Sequence, residues 1–477
     1  MSLTVRPILN SGSLTLPAAI AIACAVAARS ATGGPILCLA LVAAAAIAVR
    51  PALALWVAVA IESTRLLIVG QGVPSSTATA AVGGVLAYGA VLTWLRGRGD
   101  AALIPVLVLP ILAVAGPGLV VLTLSSTTAH LVATTNVLVS PFLAAYIAYA
   151  ATRREWQQFQ RLLVILVVAN ALECVRQVAT GTAGLVAAGL DYGTTIRQID
   201  GVLRAPGLTL TNASAGFVGA AVVVTLVISA QIGMSIGRIW YLAGLMAGGV
   251  VIYLSTSRSA VIFVISCLIV LAVLRRDRTA LSGRSSLERL LWKIGGVGFA
   301  AALPAALVSY GAGSNDSLLD RFAVWSALLN QHLSIFGLGA GRVGAASFSS
   351  TNPNPPIFTD NSWLSITIQF GVLGLVVSLL LLMIALTRSR RLYRNGARSV
   401  GSAITALIAA TSVTGIFIEV LDYPLCMMLV AATAATAAAR AHRTRNTTFL
   451  SLAGRSAAET EQESLSSSRT PSGRALV

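Results

Sequence analysis

The residues of this chain best suited to chemistry are arginines set among small hydroxyl side chains. Ser255-Thr256-Ser257-Arg258-Ser259-Ala260 stands between two apolar runs. A guanidinium beside hydroxyls and backbone N–H groups pairs bidentately with phosphate oxygens, so Ser257 and Arg258 are candidate phosphate ligands. A second arginine lies in Asp320-Arg321-Phe322-Ala323-Val324-Trp325; Arg321 either binds an anion or pairs locally with Asp320. Thr359-Asp360-Asn361-Ser362-Trp363 opens a further apolar run. Asp360 or Asn361 would make a good N-cap there, yet a carboxylate at a desolvated boundary is also placed to take a proton from a hydroxyl. Glu419 and Asp422 mark a short tip between the last two runs. Two more pairs, Glu62 with Arg65 and Glu173 with Arg176, are spaced i, i+3 and so share a helical face. Charges inside apolar runs are costly in a bilayer, and such pairs are either structural or mark a substrate cavity.

The elements that must position these residues follow from composition. Of 477 residues, 56% are hydrophobic and 10% charged, with a mean hydropathy of +0.84. No soluble fold of this length could hide so much apolar surface. The apolar residues fall into runs that match the hydrocarbon thickness of a bilayer, without the alternating polarity of a transmembrane β-barrel. The runs lie near 14–28, 35–49, 51–69, 78–95, 101–124, 129–151, 159–180, 206–229, 238–255, 259–274, 290–311, 361–387, 401–418 and 423–439. The expected fold is an all-α integral membrane protein of about 12–14 transmembrane helices, with a long loop before the last three. Its parts are N-terminal helices over 1–200, a helical core over 201–311, the loop over 312–360, C-terminal helices over 361–440 and a polar tail over 441–477.

The net charge of +17 is carried by 33 basic residues, of which only Lys293 is lysine. These residues cluster in short breaks, at Arg96/Arg98, Arg153/Arg154, Arg275/Arg276/Arg278, Arg388/Arg390/Arg391/Arg394 and Arg440/Arg443/Arg445. With fourteen spans every cluster falls on one side, which the positive-inside rule makes cytoplasmic, together with both termini. That pattern argues against a nucleic-acid surface. No cleavable signal pattern is visible, and the first apolar stretch is expected to be retained. The five cysteines sit inside apolar runs and show no metal-binding spacing. Two segments on the opposite, extracytoplasmic side are long, 181–205 and 312–360, and long loops on a scaffold tend to carry function. In the second, Phe322, Trp325 and Leu329 read as one apolar face of an amphipathic helix. The glycines of Phe336-Gly337-Leu338-Gly339 read as a turn that ends it.

Several of these pieces occur in a recognisable order. Leu203-Arg204-Ala205-Pro206-Gly207 is followed by Asn212, then Ser257-Arg258-Ser259-Ala260, then Arg321, Trp325 and Phe336-Gly337-Leu338-Gly339. Asn361 comes next, then nine residues, then Gly371-Val372-Leu373-Gly374. The set resembles the O-antigen ligase and polymerase family of bacterial membrane glycosyltransferases over roughly residues 200–425. Where ligases of that family carry His, this chain has Asp360, which is more similar to the polymerase-like members. The resemblance implies a polyprenyl-diphosphate-linked oligosaccharide donor, a glycan or glycolipid acceptor, no cofactor and no metal. Arg258 and Arg321 with Arg204 would hold the diphosphate, and Asp360 would take the acceptor's proton. Ser257, Asn361, Arg65, Arg176, Glu419 and Asp422 would line the substrate site. A transporter or flippase of an anionic lipid-linked substrate is the rival reading. Against it, the sequence shows no internal repeat and no paired interrupted spans.

Overall fold

The computed structural model describes residues 34–70, 75–98, 139–187, 189–190, 195–199, 202–276, 316–339, 342–343, 357, 359–420 and 423–444. The expected spans at 14–28, 101–124 and 290–311, the polar tail beyond residue 444 and Asp422 lie outside the described residues; residues 441–444, expected in that tail, are helical. The apolar runs that are described become helices. They are α1 (Gly34–Val49), α2 (Leu53–Ser63), α3 (Arg65–Gly70), α4 (Ser75–Leu95), α5 (Ser140–Ala150) and α6 (Arg153–Ala187). A small antiparallel hairpin follows, β1 (Arg197–Ile199) with β2 (Val202–Arg204), in which Arg197 faces Arg204. Then come α7 (Asn212–Gln231), α8 (Arg238–Ser255), α9 (Arg258–Arg276), α10 (Asp316–His332), α11 (Ser362–Arg394), α12 (Arg398–Phe417) and α13 (Pro424–Thr444). Seven of these, α4, α6, α7, α8, α11, α12 and α13, are long and apolar enough to cross a membrane. The chain is an all-α, multi-pass membrane protein.

Helix α7 is the centre of the bundle. In its most apolar window 72% of residues are buried inside the protein, against 17% for α11, whose apolar surface is left to lipid. Around α7 stand α6, α8, α9 and α12, and α13 reaches it through Thr225 and Thr433, whose hydroxyls lie 3.1 Å apart. Lipid tails are as apolar as leucine, so helices here associate by close packing rather than by hydrophobic exclusion. Glycine supplies that closeness between α7 and α8. A Cβ on Gly219 would lie 2.7 Å from the Gly248 carbonyl oxygen, and one on Gly248 would lie 3.0 Å from that of Gly219.

The arginine clusters gather at one end. Arg96 donates to the carbonyls of Ala48 and Val49, and Arg443 donates to those of Ala151 at 3.1 Å and Tyr149 at 3.0 Å. Arg98 meets Glu155 at 3.6 Å, and Tyr393 Oη donates to the Leu274 carbonyl. Carbonyls left open where α1 and α5 end thus find cationic donors, as helix C-termini favour. The starts of α7, α9 and α11 and the ends of α6, α8 and α12 lie at the opposite end.

Two expected spans are interrupted. The 51–69 run divides at Thr64 into α2 and α3, with the Thr64 hydroxyl donating to the Ala60 carbonyl. The 361–387 run forms α11, but Gly371 inside it has φ 72 and ψ −175, which opens the helix after its first nine residues. The segment expected to be a terminating turn fills that opening. Leu338 and Gly339 N–H donate to the carbonyls of Ile368 (2.8 Å) and Gln369 (2.9 Å). Val372 and Leu373 N–H donate to those of Ser334 (3.0 Å) and Ile335 (3.2 Å). Gly337 and Gly371 meet backbone to backbone: a Cβ on Gly371 would sit 2.1 Å from the Ile335 oxygen. Hydrogen bonds that the helix gives up are remade with the loop, as a non-aqueous setting demands. A second non-helical glycine, Gly181 (φ 74), bends α6 near its end.

Replacing Gly371 by Ala would combine a disfavoured left-handed φ with a backbone clash, a loss on the order of 3 kcal/mol. The expected result is a lower Tm of the purified protein in detergent. Gly84→Ala, whose added Cβ would meet nothing within 4 Å, should be neutral or stabilising by roughly 0.5–1 kcal/mol. An unchanged Tm for Gly371→Ala would show that the crossing does not hold the loop.

Candidate functional site

At the end opposite the arginines, irregular backbone and polar side chains build a continuous layer. It begins with the Arg204-Ala205-Pro206-Gly207 segment, held on all sides. Gln177 of α6 pairs with Gly207 twice: Nε2 donates to the Gly207 carbonyl at 2.8 Å, and Gly207 N–H donates to Oε1 at 2.9 Å. Gly207 has φ +59, and a Cβ there would meet Asn170 Oδ1 at 3.0 Å and Cys174 Sγ at 3.1 Å. Asn170 accepts from Leu208 N–H (3.0 Å) and donates to the Ser63 carbonyl at the end of α2 (3.3 Å). Ala205 N–H donates to the Leu254 carbonyl, and Leu66 N–H to that of Leu208. One loop therefore joins α2, α3, α6 and α8, and it presents Arg204, half-buried, at the end of β2.

The loop leads into α7, which Thr211 caps by accepting from Ser214 N–H at 3.1 Å. The next residue, Asn212, donates through Nδ2 to the Ser255 carbonyl at 3.2 Å. This fixes the serine-rich turn. Ser255 ends α8, Thr256 takes a left-handed φ of 48, and Ser257 is buried. The turn rests on Gly216, where any Cβ would come within 2.3 Å of Ser257 Cβ. Arg258 is the first residue of α9 and is exposed, at the helix end where unpaired N–H groups and the macrodipole favour anions.

Across the same end lies the Thr359–Ser362 turn. Asn361 is the N-cap of α11, its Oδ1 accepting from Trp363 N–H at 2.9 Å and Leu364 N–H at 3.1 Å. The capping duty thus belongs to Asn361, and Asp360 stands before it, exposed and left-handed at φ 47. Glu419 is buried and its Oε1 accepts from both the N–H (3.0 Å) and the hydroxyl of Thr359. Ser362 Oγ donates to the Ile418 carbonyl (3.0 Å) and accepts from Val420 N–H (2.8 Å). Trp325 of α10 donates through Nε1 to the Thr359 carbonyl at 2.5 Å, and with Leu328 and Leu329 it packs on Val343, Leu364 and Ile368. Phe322, of the same apolar face, is exposed and touches Trp325 edge-on at 5.2 Å.

The two turns share an end because α9 packs antiparallel to α12, α11 beside α12, and Tyr423 at the start of α13 stacks on Phe217 of α7 at 4.6 Å. The arrangement is an exposed arginine, Arg258, and an exposed carboxylate, Asp360, on two rigid turns. Such turns can grip an anion and a hydroxyl. The side chain of Arg321, in α10, and Asp422 lie outside the described residues.

The intrahelical pairs separate in character. Arg65 Nη1 meets Glu62 at 3.1 Å, while Nη2 donates to Ser75 (both its carbonyl and Oγ, 2.8 Å) and Thr79 Oγ1 (2.5 Å). That guanidinium ties the α2–α3 break to α4, a structural duty. Arg176 is 60% exposed and pairs with Glu173 at 2.6 Å. A crevice lined by Trp56, Glu155 and Trp156 lies at the arginine end, with room for little more than a water molecule. Among the described residues no group of His, Cys, Asp and Glu could hold a metal ion. Asn170, Gln177 and Thr359 were not singled out by the sequence. The polar residues among the apolar positions of α6, three or four apart with Glu173, were the visible signal.

Gln177→Leu would strand the buried N–H and C=O of Gly207, costing about 1–3 kcal/mol for each. Thermal unfolding in detergent should show it, whereas Arg176→Ala, removing an exposed pair, should stay within about 1 kcal/mol of wild type. Equal Tm values for the two variants would refute the lock. No protein-family model matches the chain, and no curated protein matches it either.

Proposed function

We propose that the chain is a membrane glycosyltransferase that uses a polyprenyl-diphosphate-linked oligosaccharide at the extracytoplasmic face of the cytoplasmic membrane, as a polymerase of repeat units in surface polysaccharide assembly. The observation that carries the reading is the division of the bundle into two unlike ends. At one end Arg96 and Arg443 bind helix carbonyls. The other holds Arg258 and Asp360 on rigid turns above an interrupted helix. By the positive-inside rule the first end is cytoplasmic, which puts the turns outside, where a diphosphate donor needs no nucleotide-binding fold.

The chemistry is a single displacement. The acceptor hydroxyl oxygen forms a bond to the anomeric carbon of the donor while the bond from that carbon to the diphosphate oxygen breaks, with inversion. Arg258 and Arg321, with Arg204, stabilise the charge that grows on the leaving diphosphate, and two guanidiniums replace a divalent metal. Asp360 takes the hydroxyl proton, its carboxylate being spared the capping that Asn361 performs. Glu419 acts by holding Thr359 and so the turn that carries Asp360.

Transport of the lipid-linked substrate is the second reading, and the break in α11 favours it, since interrupted helices line many transporter sites. The other interrupted span, broken at Thr64, is tied to α4 through Arg65, and Gly181 lies near the end of α6; a site confined to one end suits transfer better than alternating access.

Purified protein in detergent, given lipid-linked oligosaccharide, should extend chains and release polyprenyl diphosphate. Arg258→Ala and Arg321→Ala should each lower the rate by about 10²–10³-fold. Asp360→Asn should abolish turnover at an unchanged Tm. Movement of the donor across vesicles without a new glycosidic bond would replace this reading with the transport one.

A further inference from the structure

Among the described residues, buried guanidinium N–H groups without an acceptor occur on Arg65, at Nε only, and on Arg342, in the loop that crosses α11. Arg65 has Glu62, Arg176 has Glu173 and Arg98 has Glu155. Arg96 and Arg443 have backbone carbonyls. Arg342 differs: its Nη1 is buried and meets no hydrogen-bond acceptor among the described residues. A guanidinium cannot shed its charge, so a buried N–H of this kind is among the costliest groups a membrane protein can hold.

Described backbone on either side of Arg342 is tied to α11. Three residues before it, Gly339 N–H is bound to the Gln369 carbonyl, and Leu338 N–H to that of Ile368. One residue after it, Val343 is bridged in parallel to Ile357 and buried in a cluster with Leu364 and Ile368. Both flanks are thus fastened to the first half of α11, the half whose N-terminus carries Asp360 and Asn361. The same cluster takes in Trp325, which holds the Thr359 carbonyl. A fixed, buried, unanswered N–H donor beside the candidate site is a place prepared for a charged acceptor that arrives from outside the chain.

We propose that Arg342 is an anion-binding residue of this site, and that its Nη1 takes a phosphate oxygen of a lipid-borne phosphate ester at the junction of the loop with α11. The identity of that ester as the donor's diphosphate rests on the glycosyl-transfer reading; the anion site itself rests on the geometry. A bilayer phospholipid headgroup offers the same chemistry, and the two sources separate by experiment.

The test is binding to the full-length protein in detergent, followed by thermal shift. Farnesyl diphosphate, a short-chain diphosphate ester, should raise the wild-type Tm in a saturable way. Arg342→Ala should weaken its apparent affinity by about tenfold to a hundredfold, while the unliganded Tm stays level or rises because a buried, unsatisfied N–H has gone. Arg342→Met serves the same end if the alanine variant does not fold. Arg342→Lys, which keeps the charge and loses the fork, should fall between them. A shift produced by phosphatidylglycerol instead, and lost in Arg342→Ala, keeps the site and assigns it to the bilayer. Unchanged affinity in both the alanine and methionine variants overturns the proposal, as does a fall in unliganded Tm that accounts for the whole effect. Wild-type protein that binds the diphosphate ester but forms no glycosidic bond leaves Arg342 in place and removes the transfer reading. Intact affinity and intact chain growth in Arg342→Ala do the reverse.

Discussion

In hydrocarbon a backbone N–H or C=O without a partner costs several kcal/mol, and that constraint governs how the loop before the last three helices meets the bundle. Gly371 interrupts α11, and the carbonyls and amides released on either side need new partners at membrane depth. The Ser334–Gly339 segment supplies four of them in an extended pairing. Only glycine allows this, because Gly337 and Gly371 approach so closely that either Cβ would overlap the opposite backbone. The pairing decides where the loop lies. With it come α10, Trp325 and the Thr359 turn, which form one side of the candidate site.

The same constraint explains the polar layer between α2, α6, α7 and α8. The chain that enters α7 carries Pro206, Gly207 and Leu208 through a crowded region where no helix satisfies them. Gln177 and Asn170 answer their amide and carbonyl groups one by one. These side chains stabilise irregular backbone next to Arg204 and the serine turn. Arginines perform the equivalent service at the other end, where Arg96 and Arg443 close carbonyls at the ends of α1 and α5. Charge in this protein is therefore divided by task. One end uses guanidiniums to complete helices, and the other keeps Arg258 and Asp360 at the surface of stiff turns.

Much of the architecture was legible in the order of residues. The runs at 238–255 and 423–439 predict α8 and α13 to within a few positions, because hydropathy over a window of span length is a local property that lipid reads directly. The i, i+3 pairs of Glu62 with Arg65 and Glu173 with Arg176 form as spaced, because helix geometry alone places them. Which pair serves packing was not legible: Arg65 is enclosed by Ser75 and Thr79 of α4, a helix that sequence spacing does not bring beside it. Phe322 and Trp325 look alike in the pattern of α10, yet only Trp325 finds the Thr359 carbonyl and a buried face.

By itself, then, the sequence determined that the chain is a helical membrane protein, where most of its described helices begin and end, and where its arginines cluster along the chain. It also pointed to Ser257, Arg258 and Asp360, since turn residues at span boundaries are visible without knowing what they meet. Only the tertiary structure decided that Asn361 rather than Asp360 caps α11, that Glu419 holds the turn, that Gly371 opens a helix for the loop to fill, and that Nη1 of half-buried Arg342 has no acceptor. The reason is physical. Hydropathy and helical spacing act over one turn or one span, whereas each of those outcomes depends on a hydrogen-bond partner brought in from, or withheld by, a distant part of the chain.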